Sequence, residues 1–146
     1  MQTQYTVQTV GELESVAKDL LNKLRTESGE QATVVALHGD LGAGKTTFTQ
    51  LLARELGVSD TVQSPTFVVM KFYETTDDMF ARLFHIDAYR IEDSDEMRPL
   101  HFAEMLAENN TLICIEWAER IADLLPKDTL HLTFALQGDQ RTISIS

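Results

Sequence analysis

Apolar residues set the rhythm of this chain, and the rhythm changes from segment to segment. Val10, Leu13, Ala17, Leu20, Leu21 and Leu24 recur at helical spacing, which predicts an amphipathic helix from Val10 to about Arg25. Thr9-Val10-Gly11-Glu12 at its start fits a capping box, with Thr9 as N-cap and Glu12 reaching back. Tyr5-Thr6-Val7 before it reads as a short edge strand, and Val34-Val35-Ala36-Leu37 as a buried strand that stops at Gly39. A second helix is expected from Lys45 to about Leu56, with Gly57 as its stop. Residues 61–66 form a polar connector. Residues 67–73 and 80–86 are then the arms of a β-hairpin turning at Thr76-Asp77-Asp78. Residues 92–110 are acidic and helical in tendency, with Pro99 interrupting them. Leu112-Ile113-Cys114-Ile115 is apolar on both faces, as a central strand covered by helices is. Glu116-Trp117 closes that strand, and a helix follows to about Leu125, stopped by Pro126. Residues 130–136 and 142–145, turning at Gln137-Gly138-Asp139-Gln140, predict a final hairpin.

The strand ending at Leu37 and the helix opening at Lys45 enclose the most informative stretch. Gly39-Asp40-Leu41-Gly42-Ala43-Gly44-Lys45-Thr46 fits the phosphate-binding pattern G-x-x-x-x-G-K-[ST]. Glycines let consecutive backbone N–H groups turn toward phosphate oxygens. The helix that opens at the loop aims its positive end at the same anion. Lys45 brings a charge to the β- and γ-phosphates, and the Thr46 hydroxyl is a candidate Mg²⁺ ligand. Gly42, Ala43, Gly44, Lys45, Thr46 and Thr47 are therefore the candidate phosphate contacts, which makes the chain a nucleotide-binding protein. The element order fits a P-loop NTPase-like α/β fold: a three-layer sandwich with a mixed β-sheet flanked by helices. Length allows one domain, spanning residues 1–146, with a real core.

Charge narrows the partners. Twenty-three acidic against twelve basic residues leave a net charge of −11, whereas nucleic-acid binders carry a basic face. Direct tRNA or DNA binding is not expected, and an acidic surface suits a basic protein partner. The single cysteine, Cys114, lies inside an apolar run, which rules out disulfides and cysteine metal sites and reads as a small buried hydrophobe. No apolar stretch reaches membrane-spanning length and the first residues lack a signal-peptide pattern, so a cytoplasmic address is expected.

A phosphate loop needs carboxylates for the metal and the attacking water, and in this fold they project from the C-terminal ends of neighbouring strands. Asp87, after Leu83-Phe84-His85-Ile86, and Glu116, after Leu112-Ile113-Cys114-Ile115, are the two candidates. We assign Asp87 to the metal through a bound water. Glu116 goes to the γ-phosphate side, as a water-positioning group or second metal contact. His85, Asp87 and Tyr89 alternate and so share a face of an extended backbone, where His85 can orient a carboxylate or simply pack. Arg90 is either a phosphate counter-charge or a surface arginine, and Ser64-Pro65-Thr66 either a γ-phosphate-sensing loop or a plain turn. Asp87-Ala88-Tyr89-Arg90 lacks the glycine of a GTPase D-x-x-G, and no guanine-reading N-K-x-D occurs. A small-molecule kinase would carry an arginine-bearing lid, but residues 92–110 hold only Arg98.

G-D-L-G-A-G-K-T-T-F at 39–48, S-P-T-F at 64–67, H-I-D-A-Y-R at 85–90 and I-E-W-A-E-R at 115–120 resemble, in order and spacing, the bacterial TsaE family. That family is the small ATPase of the machinery that makes threonylcarbamoyladenosine in tRNA. The resemblance spans about residues 5–136. It implies that Lys45 and Thr46 serve ATP and Mg²⁺, with Asp87 and Glu116 near the metal and γ-phosphate and Trp117 beside Glu116. It implies switch regions at Ser64, Thr66, His85 and Arg90, and adenine held between Thr9 and the segment after Trp117, which includes Arg120. The implied partners are the threonylcarbamoyl transferase subunit and its paralogous scaffold subunit, with ATP hydrolysis resetting that machine. A small-molecule kinase and a switch without turnover are the alternatives. Ala118 stands where the family commonly has proline after the E-W pair, and His101 and Leu51 stand where glycine is expected.

Overall fold

A computed structural model describes residues 3–27, 29–39, 44–59 and 69–146 of the chain. Seven strands form one mixed sheet: β1 (Thr3–Val7), β2 (Thr33–Gly39), β3 (Met70–Glu74), β4 (Arg82–Asp87), β5 (Thr111–Glu116), β6 (Leu130–Gln137) and β7 (Gln140–Ile145), in the order β1-β7-β6-β2-β5-β4-β3. The inner pairs β6–β2, β2–β5 and β5–β4 are parallel, while β1–β7, β7–β6 and β4–β3 are antiparallel. Both expected hairpins form. Strands β1, β6, β2, β5 and β4 therefore all end at the same edge of the sheet.

Side-chain parity divides the core into two layers. Val35, Leu37, Leu83, Leu112, Cys114, Leu132, Phe134, Ile143 and Ile145 face α1 (Val10–Glu27) and α2 (Lys45–Glu55). Val34, Ala36, Ile86, Ile113 and Ile115 face the other way. There they meet a 3₁₀ helix η1 (Ser94–Leu100), α3 (Phe102–Leu106) and a second 3₁₀ helix η2 (Ala118–Leu124). β5 is buried at all six positions, as a strand covered on both faces must be. The result is the three-layer sandwich with a mixed sheet. Among the described residues no helix is long and apolar enough to cross a membrane.

Local chemistry explains where the elements depart from the periodicity. The box ahead of α1 forms with a shift. Thr9 Oγ1 accepts from Glu12 N at 3.1 Å, but Glu12 reaches back to Gln8 N at 2.7 Å. Val10 sits outside the apolar stripe, 56% exposed, and Val16 takes its place in the core. Expected strands at 67–73 and 80–86 are β3 and β4, beginning at Met70 and Arg82; residues 67 and 68 lie outside the described residues. The acidic segment, expected to be helical in tendency with an interruption at Pro99, forms two short helices. Pro99 lies inside the first, and His101 turns left-handed with φ 59° between them. The expected helix after Trp117 is 3₁₀, kinked at Ile121 (φ −128°, ψ 31°).

His101 stands in the conformation that glycine adopts without steric cost, at the position where glycine is expected. Its side chain is 77% exposed and holds only Glu104, at 3.8 Å. His101→Gly should therefore raise the thermal midpoint by roughly 3 °C, about 1 kcal/mol of relieved backbone strain in a domain this size. A melting curve that moves downward would mean the imidazole contributes more than its backbone costs.

Candidate active site

The common strand edge is where the chemistry collects. Parity carries His85 and Asp87 onto the face of Leu83, and Glu116 onto the face of Cys114, so all three point toward the layer of α2. Asp87 and Glu116 are direct register partners on adjacent strands. α2 follows β2 through the phosphate-loop motif, of which Asp40, Leu41, Gly42 and Ala43 lie outside the described residues. Gly39 ends β2 at φ 130°, and a Cβ there would stand 2.2 Å from the Phe134 carbonyl oxygen, so only glycine fits. Gly44 caps α2 at φ 107° with no side-chain cap and no acidic residue in the helix's own first turn.

Lys45 is buried, and its Nζ donates to Gly39 O at 2.7 Å while lying 4.8 Å from the centre of the Trp117 ring. Thr46 Oγ1 donates to Glu116, 3.2 Å from each carboxylate oxygen. His85, with no exposed surface, donates from Nε2 to Glu116 Oε2 at 2.7 Å, since a carboxylate only accepts. Among the described residues its Nδ1 has no hydrogen-bond partner. His85 therefore bonds Glu116, across the strand pair, and not its strand neighbour Asp87. Asp87 Oδ1 instead accepts from Tyr89 N at 3.0 Å. Burial raises the Asp87 carboxyl above the usual carboxylate range, Glu116 adds to that, and Tyr89 N–H, His85 and Lys45 pull it back. Burial also pushes the Cys114 thiol up to about 12, which fits an inert core position.

Trp117 takes a left-handed turn (φ 58°) as N-cap of η2. Its ring meets Tyr89 at 5.0 Å, and the Arg120 guanidinium lies 5.9 Å over Tyr89. Trp117 is thereby brought to Lys45, and Arg120 one aromatic ring further out. Thr9 lies beyond β1 at the same sheet edge, on the opposite side of the phosphate loop from Trp117. Thr47 lies half-buried in the first turn of α2, and Arg90 is exposed just past β4. Ser64 and Thr66 lie outside the described residues.

The residue that pattern reading missed is Arg141. Its guanidinium lies 3.5 Å from where a Cβ on Gly44 would stand, and β7 pairs it with Val7 of β1. The signal was parity: Ile143 and Ile145 face the core, so Arg141 puts a cation on the side where the alternation calls for an apolar residue.

These groups suit Mg²⁺ with a nucleotide. Thr46 and Glu116 present oxygen ligands at one point, the donor type that a hard divalent cation takes. Among the described residues no group of three His, Cys, Asp or Glu forms a metal cage. The Asp87 shift also carries a stability consequence. A carboxyl raised on folding costs stability once pH passes its folded value, and costs nothing below the ordinary carboxylate range. Without nucleotide or metal, Asp87→Asn should melt higher than the parent at pH 7, and the gap should close as pH falls toward 3.8. A gap independent of pH would remove charge burial as its cause.

Comparisons with known proteins agree with this geometry. A family model described as "Threonylcarbamoyl adenosine biosynthesis protein TsaE" matches residues 7–143. The tRNA threonylcarbamoyladenosine biosynthesis protein TsaE of Bacillus subtilis (strain 168) is 38% identical over 117 residues, covering 80% of this chain and 70% of that protein. The protein of the same name in Haemophilus influenzae is 34% identical over 128 residues, 87% of this chain and 76% of the relative. A crystal structure of Bacillus subtilis YdiB superposes with a TM-score of 0.74 at 28% identity, covering 99% of this chain and 84% of that one. With a matched region that takes in β2, α2, β4 and β5, and so every described side chain of the phosphate and carboxylate cluster, the chain belongs to the TsaE family.

Proposed function

We propose that this chain is a Mg²⁺-dependent ATPase that serves tRNA threonylcarbamoyladenosine biosynthesis, the process in the names of its relatives. The observation that carries the reading is the convergence of Lys45, Thr46 and Glu116 at the uncapped start of α2. Backbone N–H groups of the first turn, Thr47 included, cradle the phosphates, and Lys45 exchanges the Gly39 carbonyl for β- and γ-phosphate oxygens. Mg²⁺, when bound, would supply charge neutralisation to the phosphates. Thr46 and Glu116 would hold it, with Glu116 aligned by His85. Because Thr46 bonds Glu116, we place Glu116, expected as a water-positioning group or second metal contact, on the metal directly, and keep Asp87 behind a bound water. Arg141 faces the phosphates from the β7 side, while Thr9 and Arg120 flank the nucleoside.

The acidic chain leaves RNA to the proposed partners, the threonylcarbamoyl transferase and its paralogous scaffold subunit, and acts on them through its nucleotide state. Phosphate release measured alone, with that complex, and without any small acceptor is the test. Release that rises with the complex supports the reading. Transfer only to an added acceptor would make the chain a kinase, and no release under any condition would leave a binding switch.

A further inference from the structure

The second face of the sheet carries a feature the phosphate chemistry does not use. η1, α3 and η2 enclose an open groove of about 360 Å³. Phe102, Leu106 and Leu124 give it an apolar floor, and Asp95, Glu104 and Asp123 stand around it. Arg98, also on its wall, is spoken for by Asp95 at 3.2 Å. Glu104 has only His101 Nδ1, 3.8 Å away, and Asp123 accepts from Ser94 Oγ at 2.8 Å. Two of the three carboxylates therefore lack a lysine or arginine partner among the described residues.

An apolar floor inside an acidic rim selects its occupant. A nucleic acid or phospholipid headgroup brings like charge, and so does a second copy of this chain, itself at −11. A bare cation gains nothing from the leucines. We infer that the groove receives a partner-protein segment bearing an aliphatic or aromatic side chain between lysines or arginines. Its place in the fold ties it to the nucleotide. η2 begins beside Trp117, turns at the Ile121 kink and ends in the groove wall at Asp123 and Leu124. A segment seated there bears on the helix that holds the indole over Lys45.

The identity of the partner rests on the proposed function, so the test uses the purified transferase–scaffold complex. Its binding is measured by calorimetry at low and at physiological salt for the parent chain, for Glu104→Lys, and for Glu104→Lys with Asp123→Lys. A control carries the same charge change at the opposite end of the sheet, Glu30→Lys with Asp128→Lys. The groove variants should bind about tenfold more weakly or worse and lose much of the salt dependence, while basal phosphate release is unchanged and the control binds as the parent does. Glu104→Lys, on an exposed side chain, keeps the test valid if the double variant folds poorly. Parent and groove variants binding equally would overturn the groove alone. An equal loss in the control would reduce the effect to total charge and overturn it too. A parent that does not bind the complex would overturn the partner reading and the groove with it.

Discussion

Replacing Lys45 with alanine should slow ATP turnover by roughly a hundredfold or more, about 3 kcal/mol of barrier. Lys45 is buried, its Nζ lies 2.7 Å from the Gly39 carbonyl, and among the described residues no other lysine or arginine is bonded into the cluster of Thr46, Glu116 and His85. Charge stabilisation is the principal catalytic contribution in phosphoryl transfer, and water entering the space left by alanine restores only part of it. The variant offers a second readout. Trp117 is the only tryptophan, and in the parent its ring carries the Lys45 ammonium at 4.8 Å. Its emission should shift when ATP draws the lysine away, and that shift should shrink in Lys45→Ala. Parent-like hydrolysis in the variant would remove the loop from catalysis. An indole signal that responds to ATP equally in both would detach Trp117 from the lysine.

Much of this was legible because the relevant signals are short-ranged. The apolar runs at 34–37 and 112–115 announce central strands by composition alone, and the glycines of the loop announce a backbone that other residues cannot adopt. Alternation then put His85 and Asp87 on one face before any strand partner was known. What alternation cannot supply is the neighbour across the sheet. His85 reaches Glu116 because β4 and β5 pair in parallel with Asp87 opposite Glu116, a contact between residues 31 apart in sequence. The same ignorance of register left the order of Asp87 and Glu116 around the metal to be argued from strand ends and side-chain length alone. Arg141 was lost for a related reason: its meaning lies in β7 running between β1 and β6, which brings it to Gly44. In the acidic segment the helical tendency and the interruption at Pro99 were legible, but not the left-handed turn at His101 that separates the two short helices.

Glu116→Gln should suppress hydrolysis by about a hundredfold and raise the Mg²⁺ concentration needed for half-maximal nucleotide binding, whereas Asp87→Asn should move that midpoint less. The argument is geometric. Thr46 Oγ1 lies 3.2 Å from both Glu116 oxygens, and Thr46 and Glu116 are the only hydroxyl and carboxylate that meet at the start of α2 among the described residues. Glutamine keeps the volume and a carbonyl oxygen that accepts from His85 Nε2, so the fold and the placement of the side chain survive. What disappears is one negative charge next to the cation. A neutral amide oxygen is a weaker ligand for a hard ion, and the remaining Asp87 carboxyl has one oxygen engaged by Tyr89 N at 3.0 Å. Calorimetric affinity for ADP over a Mg²⁺ series, with single-turnover hydrolysis, separates the two carboxylates. Loss of Mg²⁺-dependent ADP binding confined to Asp87→Asn would return the metal to Asp87 and leave the Thr46–Glu116 contact as a structural bond. Equal losses in both variants would mean that the paired carboxylates bind the ion jointly.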